Sequence, residues 1–338
     1  MKTISIKDIE GIRIGNAQNF TGGTGCTVIL SETGMCAGLD VRGGGPASRE
    51  SELLKPLAAA QSIHAVLLGG GSAFGLDAAG GVMQFLEEKG IGFDVGVTKV
   101  PLEEKGIGLD VGIAKVPLVC QSDIFDLTVA DAHTRPDKAM GYEACKGAYK
   151  NNYQDGNFGV GTGATVGKFR GMDYCMKSGI GSYAVQIGEL KVGAIVAVNA
   201  LGDIYDHHSG RIVAGMLNEE RSAFADTAKL LYSSYEVHDN KFVGNTTIGA
   251  IITNARFDKS QLSKIAGMAH NGYARSIRPV HTSADGDSIY ALSVGNIAAD
   301  CDMVGTLAAD VMSEAILSAV KNAESAYGYL AYKDLKFI

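Results

Sequence analysis

Asn245-Thr246-Thr247 sets two adjacent hydroxyls at the head of the β-branched run Ile248-Gly249-Ala250-Ile251-Ile252-Thr253-Asn254-Ala255, with Val243-Gly244 before them. A side chain at the mouth of a buried strand is held rigidly, as a nucleophile must be, and threonine has few χ1 options. The same residues also read as a plain turn entering a strand. Physics alone does not rank Thr246 against Thr247.

Other catalytic signatures are missing. The chain has no Gly-x-Ser-x-Gly elbow and no His-Glu-x-x-His, and its seven histidines lack a serine partner motif. What remains is a hydroxyl activated by something other than histidine, and one known solution uses the nucleophile's own backbone amine as the base. An α-amino group titrates near about 7.7–8.0, close to working pH, and needs no tuned side chain. A threonine at 246 has that amine only after the chain breaks in front of it. Asn245-Thr246 suits such a break: the hydroxyl attacks the Asn245 carbonyl, the amide becomes an ester, and water opens the ester.

The elements around this stretch mix strands and helices along the whole length, which favours one α+β domain over 1–338. Residues 1–45 read as a strand meander ending in Asp40-Val41-Arg42-Gly43-Gly44-Gly45-Pro46. A helix is expected after Ser48, with Glu50 and Glu52 in its first turn and Leu53, Leu54, Leu57 and Ala58 on one side. His64–Leu68 reads as a buried strand opening into the glycine loop Gly69–Asp77 and then a helix carrying Met83, Phe85 and Leu86. That loop lacks both the P-loop ending and the dinucleotide spacing, so it reads as a close-packed loop rather than a nucleotide site. Gly159–Lys168 is a second such loop.

Residues 87–118 hold a tandem duplication with a 16-residue period, one copy of which reads as a surface insertion. Further helices are expected over about 137–149, 218–232, 259–274 and 298–323, the last packing Met303, Leu307, Val311, Ile316 and Val320. A hairpin is expected around Gly188-Glu189, a polar linker over 235–245 and a strand over 288–294. In Asp206-His207-His208, adjacent histidines on an extended segment point to opposite faces, so the trio reads as solvated loop side chains rather than a metal site.

Four segments resemble the L-aminopeptidase/D-amidase-esterase family, which includes the β-peptidyl aminopeptidases. They are Asp40–Pro46, Gly69–Ala79 (Gly-Gly-Gly-Ser-Ala-Phe-Gly-Leu-Asp-Ala-Ala), Val198–Asp203 (Val-Asn-Ala-Leu-Gly-Asp) and Asn245–Ala255, in the family's order over nearly the whole chain. The resemblance implies a four-layer αββα sandwich and a self-processing, metal-independent aminopeptidase or amidase without cofactor. It would act on small peptides or aminoacyl amides and esters, as a homo-oligomer such as a tetramer. It makes Thr246 the nucleophile, with cleavage after Asn245 into 1–245 and 246–338, and Asn199 the side chain that helps bind the oxyanion. Asp287 matches the acidic residue that holds the nucleophile's amine or hydroxyl network. Asp285 stands where the family carries a hydroxyl, so two carboxylates sit near the new amine and tend to raise its pKa. The family's active-site tyrosine has no clear counterpart. An acyltransferase like the self-cleaving ornithine acetyltransferases, and a processing-deficient small-molecule binding protein, are the alternatives.

Composition narrows the partners. The 338 residues carry 30 Lys and Arg against 37 Asp and Glu, a formal charge of −7 without long single-sign runs, which argues against nucleic acid. Neither a signal peptide nor a membrane span is expected, since no segment approaches ~18 uncharged apolar residues. The six cysteines show no Cys-x-x-Cys or metal spacing and read as reduced, mostly buried thiols of a cytoplasmic protein.

Overall fold

The computed structural model describes residues 1–94, 97–101, 108–112, 115–234 and 244–337. The strands that matter for the site are β1 (Arg13–Asn19), β2 (Thr24–Val41), β3 (Ile63–Gly69), β4 (Val119–Asp123), β5 (Ile180–Ile187), β6 (Leu190–Asn199), β7 (Thr246–Ala255) and β8 (Ser288–Ile297). The helices are α1 (Ala78–Glu88), α2 (Lys138–Tyr149), α3 (Thr227–Ser233), α4 (Lys259–Ser276) and α5 (Cys301–Asn322).

One sheet runs β5-β6-β7-β8 and continues into Cys36–Val41 of β2; β7 and β8 are parallel, and α4 is their crossover. The other sheet pairs the first half of β2 with β1 and β3, and β3 with β4. β2 therefore belongs to both sheets, its partner changing from β3 to β8 along its length. Two short edge strands, Lys2–Ile4 on β5 and Ala47–Arg49 on β4, close the ends.

Period-two alternation then makes the layers. In β6, Val192, Ala194, Val196 and Val198 face α4 and α5, while Ile195 and Ala197 face the second sheet. β7 divides in the same way: Ile251 faces the helices, and Ile248, Ala250 and Ile252 face inward. Across the interior, Ile29, Val66 and Leu68 meet them, while Val28, Leu30, Ala65 and Leu67 turn outward onto α1 and α2. Three apolar interfaces separate four layers, which is the αββα sandwich. Ile195, fully buried in the middle interface, is expected to cost about 2–5 kcal/mol as Ile195→Ala; an unfolding midpoint within about 0.5 kcal/mol of wild type would contradict that placement.

Several expectations are corrected. Residues 50–58 form only a short 3-10 turn, Ser51–Leu54; Ser48 sits in an edge strand, and Leu57 is wholly exposed. Pro56 disfavours a continuing helix there. The helix expected over 218–232 shrinks to α3, because Thr227 at its start is held by a buried carboxylate: its N–H and hydroxyl reach Asp203 at 2.6 and 2.7 Å. Residues 1–45 do hold several strands, Lys2–Ile4, β1 and β2, but β2 is a single strand of 18 residues. Met303 is partly exposed on α5. α5 is also long and apolar enough to cross a bilayer, but its apolar side packs on β5 and β6 as a core helix.

The two copies of the duplication pair with each other, Phe93–Asp94 with Lys115–Val116 and Val97–Pro101 with Gly108–Gly112. Most of the polar linker, 235–243, lies outside the described residues. The six cysteines are all free, and four of them are buried.

Candidate active site

Strand parity sets the site. Thr246 begins β7 and pairs in register with Asn199, the last residue of β6. Both have the parity of the inward-facing residues, so both side chains enter the end of the space between the sheets. Thr247 has the opposite parity. The threonines that could not be ranked in sequence are thereby separated by one pleat.

The Thr246 hydroxyl donates to the carbonyl oxygen of Asn245. The same oxygen accepts the Gly286 N–H at 2.9 Å. Two donors on one carbonyl polarise the peptide bond in front of Thr246. Gly286 must be glycine, since a Cβ there would stand 2.8 Å from both the Thr246 hydroxyl and the Gly45 carbonyl. Gly286→Ala keeps the N–H but forces the added Cβ against the Thr246 hydroxyl and the Gly45 carbonyl, and is expected to slow any cleavage at this bond at least about tenfold by displacing hydroxyl and donor from the carbonyl. Cleavage at the wild-type rate on a denaturing gel would contradict it.

Asn199 is fully buried and its amide is oriented by its partners. Its Oδ1 accepts the Thr165 N–H at 3.1 Å and the Lys168 ammonium at 2.8 Å, and its Nδ2 donates to the Phe125 carbonyl at 3.0 Å. The expected oxyanion donor is therefore engaged with Phe125 while the chain is continuous. Lys168 is the residue the sequence did not single out. It is buried, also donates to the Asn199 carbonyl at 3.2 Å, and its pKa is pushed down to about 8, mainly by burial, against the pull of Cys175, Asp285 and Asp126. Its only local signal was a place at the end of a glycine loop.

The two acidic residues divide their work. Asp285 is buried, pairs by backbone with Asn245, and accepts the Thr282 N–H and hydroxyl at 2.7 and 2.6 Å. Burial, and then the charge of Asp287, push its pKa up to about 6. Asp287 accepts the Thr247 N–H at 2.7 Å through Oδ1, and the His281 N–H and Nδ1 at 3.1 and 2.8 Å through Oδ2. It thus holds the strand one residue beyond Thr246 instead of the Thr246 hydroxyl itself. His281, another residue missed in sequence, adopts φ +57° and backs this carboxylate.

The glycine-rich Arg42–Pro46 loop closes the site from below: Arg42 and Gly45 donate N–H groups to the Asp287 and Asp285 carbonyls at 3.0 and 2.8 Å. The other glycine loop is filled by protein carboxylates, because Gly71 N–H and Thr24 hydroxyl hold Asp126 at 2.7 Å each. A phosphate has no room there. Among the described residues no tyrosine hydroxyl bonds to Thr246, Asn199, Asp285 or Asp287. Tyr290 instead meets Ser122 at 2.8 Å and Tyr273 the Ser288 carbonyl at 3.4 Å.

This fold with this glycine-lined, hydroxyl-bearing site defines an amide-hydrolase class of protein. Residues 5–332 match Peptidase family S58, and the chain belongs to that family. An uncharacterized aminopeptidase from Mycobacterium leprae is 35% identical over 97% of this chain and 93% of its own length. A 6-aminohexanoate-oligomer endohydrolase from a Kocuria strain is 29% identical over 93% and 85%. In fold, the chain is similar to the L-aminopeptidase D-Ala-esterase/amidase of Ochrobactrum anthropi, described as a variant of the Ntn-hydrolase fold (TM-score 0.66, 17% identity, 96% of this chain and 89% of that one). The protein is a hydrolase of the peptidase and amidase type, and neither the acetyl-transfer nor the binding-only alternative is favoured.

Proposed function

We propose that the chain cuts itself between Asn245 and Thr246 and then works as a threonine aminopeptidase or amidase. The observation that carries this reading is the Thr246 hydroxyl on the Asn245 carbonyl, with Gly286 N–H on the same oxygen. Attack by the hydroxyl oxygen on that carbonyl carbon breaks the C–N bond, puts the proton on the departing Thr246 amine and leaves an ester that water hydrolyses. The freed amine is then the base for the hydroxyl in each later turnover. Gly286 N–H and the Asn199 amide, once released from Phe125, supply the oxyanion donors. Lys168 fixes the Asn199 amide, and Asp285 and Asp287 stabilise the ammonium that forms at Thr246 as it takes the hydroxyl proton.

Substrates with a free N-terminal amine suit a site with two carboxylates: small peptides and aminoacyl amides or esters. The unpaired thiols fit work in a reducing cytoplasm. The test is release of the amine from a panel of α-, β- and 6-aminohexanoyl amides by purified protein. Hydrolysis of at least one, without added metal or acetyl acceptor, is expected. An inert protein, or transfer to an amino acid in place of hydrolysis, counts against the reading.

The charges set a pH window. The freed Thr246 amine must be unprotonated to act as base, so the rate falls below its pKa, near about 7.7–8.0 or higher beside two carboxylates, and protonation of Asp285 below about 6 lowers it further. Above about 8 Lys168 loses its proton and the positive charge beside Asn199 disappears, so the rate falls again. A bell-shaped kcat/KM profile is expected, and Lys168→Met should lower activity about 10–100-fold and remove the alkaline limb. An unchanged alkaline limb in that variant contradicts the assignment.

A further inference from the structure

The Asp206-His207-His208 trio departs from its reading as solvated loop side chains. The segment is a turn, closed by Asp206 N–H to the Arg211 carbonyl at 2.8 Å and Gly210 N–H to the Asp206 carbonyl at 2.7 Å. The Asp206 carboxylate accepts the His208 N–H at 2.9 Å and fixes the turn's shape. In a turn, neighbouring side chains need not diverge, and the two imidazoles lie side by side with centroids 3.9 Å apart and planes tilted by 38°.

Both rings point at one carboxylate from a distant part of the chain. His208 Nε2 is 2.7 Å and His207 Nε2 3.4 Å from Oε1 of Glu314 on α5. The three ligand atoms lie within 4.8 Å of one another. His207 supplies the second observation. Its side chain is only 17% exposed, its Nδ1 is buried without a partner, and it makes no side-chain hydrogen bond among the described residues. The 3.4 Å between its Nε2 and the Glu314 carboxylate is longer than a good hydrogen bond and leaves room for an ion held by both.

We propose that His207, His208 and Glu314 form a divalent transition-metal site that pins the turn after Asp203–Tyr205 onto helix α5. Ligand atoms around a tetrahedral zinc at about 2.0–2.1 Å sit about 3.3 Å apart. The His207–Glu314 spacing already fits, and the His208–Glu314 hydrogen bond has to open by about half an ångström, within side-chain rotation of a 67% exposed histidine. Two imidazoles and one carboxylate select zinc or nickel over calcium or magnesium, which take oxygen ligands. The strand Asp203–Tyr205 pairs with Ile277–Arg278, which leads to His281 and the Asp285–Asp287 turn. The metal is therefore structural, on the helix side of the sheet that carries Thr246, and takes no part in the hydrolytic step.

The test is zinc titration of the chelator-treated, full-length protein by calorimetry and by thermal melting. One zinc per chain and a rise in melting temperature are expected, with calcium giving neither. His207→Asn and Glu314→Gln should each weaken zinc at least about tenfold, while the surface variant His133→Asn binds as wild type. X-ray absorption of the zinc-loaded wild type is independent of how the variants fold, and should show imidazole scattering from two histidines. Absence of stoichiometric zinc binding, zinc binding unaltered in both ligand variants, or a metal shell without imidazole overturns the site.

Discussion

Thr246→Ala is expected to leave the chain as a single full-length species and to abolish hydrolysis of aminoacyl amides, by about four orders of magnitude or more, as loss of a covalent nucleophile does elsewhere. The fold should survive. Thr246 contributes one hydroxyl at the first position of β7, and the ladder of β7 with β6 and β8 is made by backbone groups that alanine keeps. A denaturing gel and a circular dichroism melt read the two effects separately. A Thr246→Ala chain that still splits at 245/246 places the attacking group elsewhere, and Thr247, one pleat away, would be the next residue to replace. Thr246→Ser keeps the hydroxyl and should restore both cleavage and activity.

The second large effect is expected from Asp287→Ala. Three donors converge on this buried carboxylate: the Thr247 N–H, the His281 N–H and the His281 ring. Alanine leaves them unsatisfied in a closed interior, at about 1–3 kcal/mol for each orphaned group. The strand start is then free to shift. A hydroxyl displaced by about 1 Å from its carbonyl loses on the order of a hundredfold in rate, so cleavage half-times should lengthen about 10²-fold and the melting temperature should fall together with them. Asp287→Asn, isosteric but facing the His281 donors with an amide N–H or the Thr247 N–H with the wrong end, should fall between. Wild-type cleavage kinetics in Asp287→Ala would show that the carboxylate does not position Thr246.

How much of this is legible in the sequence depends on the kind of signal. Thr246, Asn199, Asp285 and Asp287 stand in short motifs whose order matched a family, and the structure brings all four around one peptide bond. The pleat explains part of that, because Asn199 and Thr246 share parity and register. The strands themselves announced their faces by alternation, as β6 and β7 show. Lys168 and His281 were not legible. Each acts through a hydrogen bond to a residue in another motif, and Lys168 reaches Asn199 from the end of a loop whose glycines read only as close packing. Such a partnership leaves no local periodicity.

The misread helices at 50–58 and 218–232 have the same origin. Apolar spacing was present in both, but Pro56 disfavours one, and a tertiary bond to Asp203 fixes where the other begins. β2 is the clearest limit: nothing in Thr24–Val41 says that one strand will serve two sheets. That bipartite strand is what makes four layers, and the layered fold was implied by resemblance rather than by pattern.

Intact-mass spectrometry of the freshly purified wild-type protein tests the central claim most directly. The account predicts two masses, those of residues 1–245 and 246–338, the second beginning with Thr246 and carrying a free amine. A single mass for 1–338 in protein that nevertheless hydrolyses aminoacyl amides would contradict it, as would a break at any other bond.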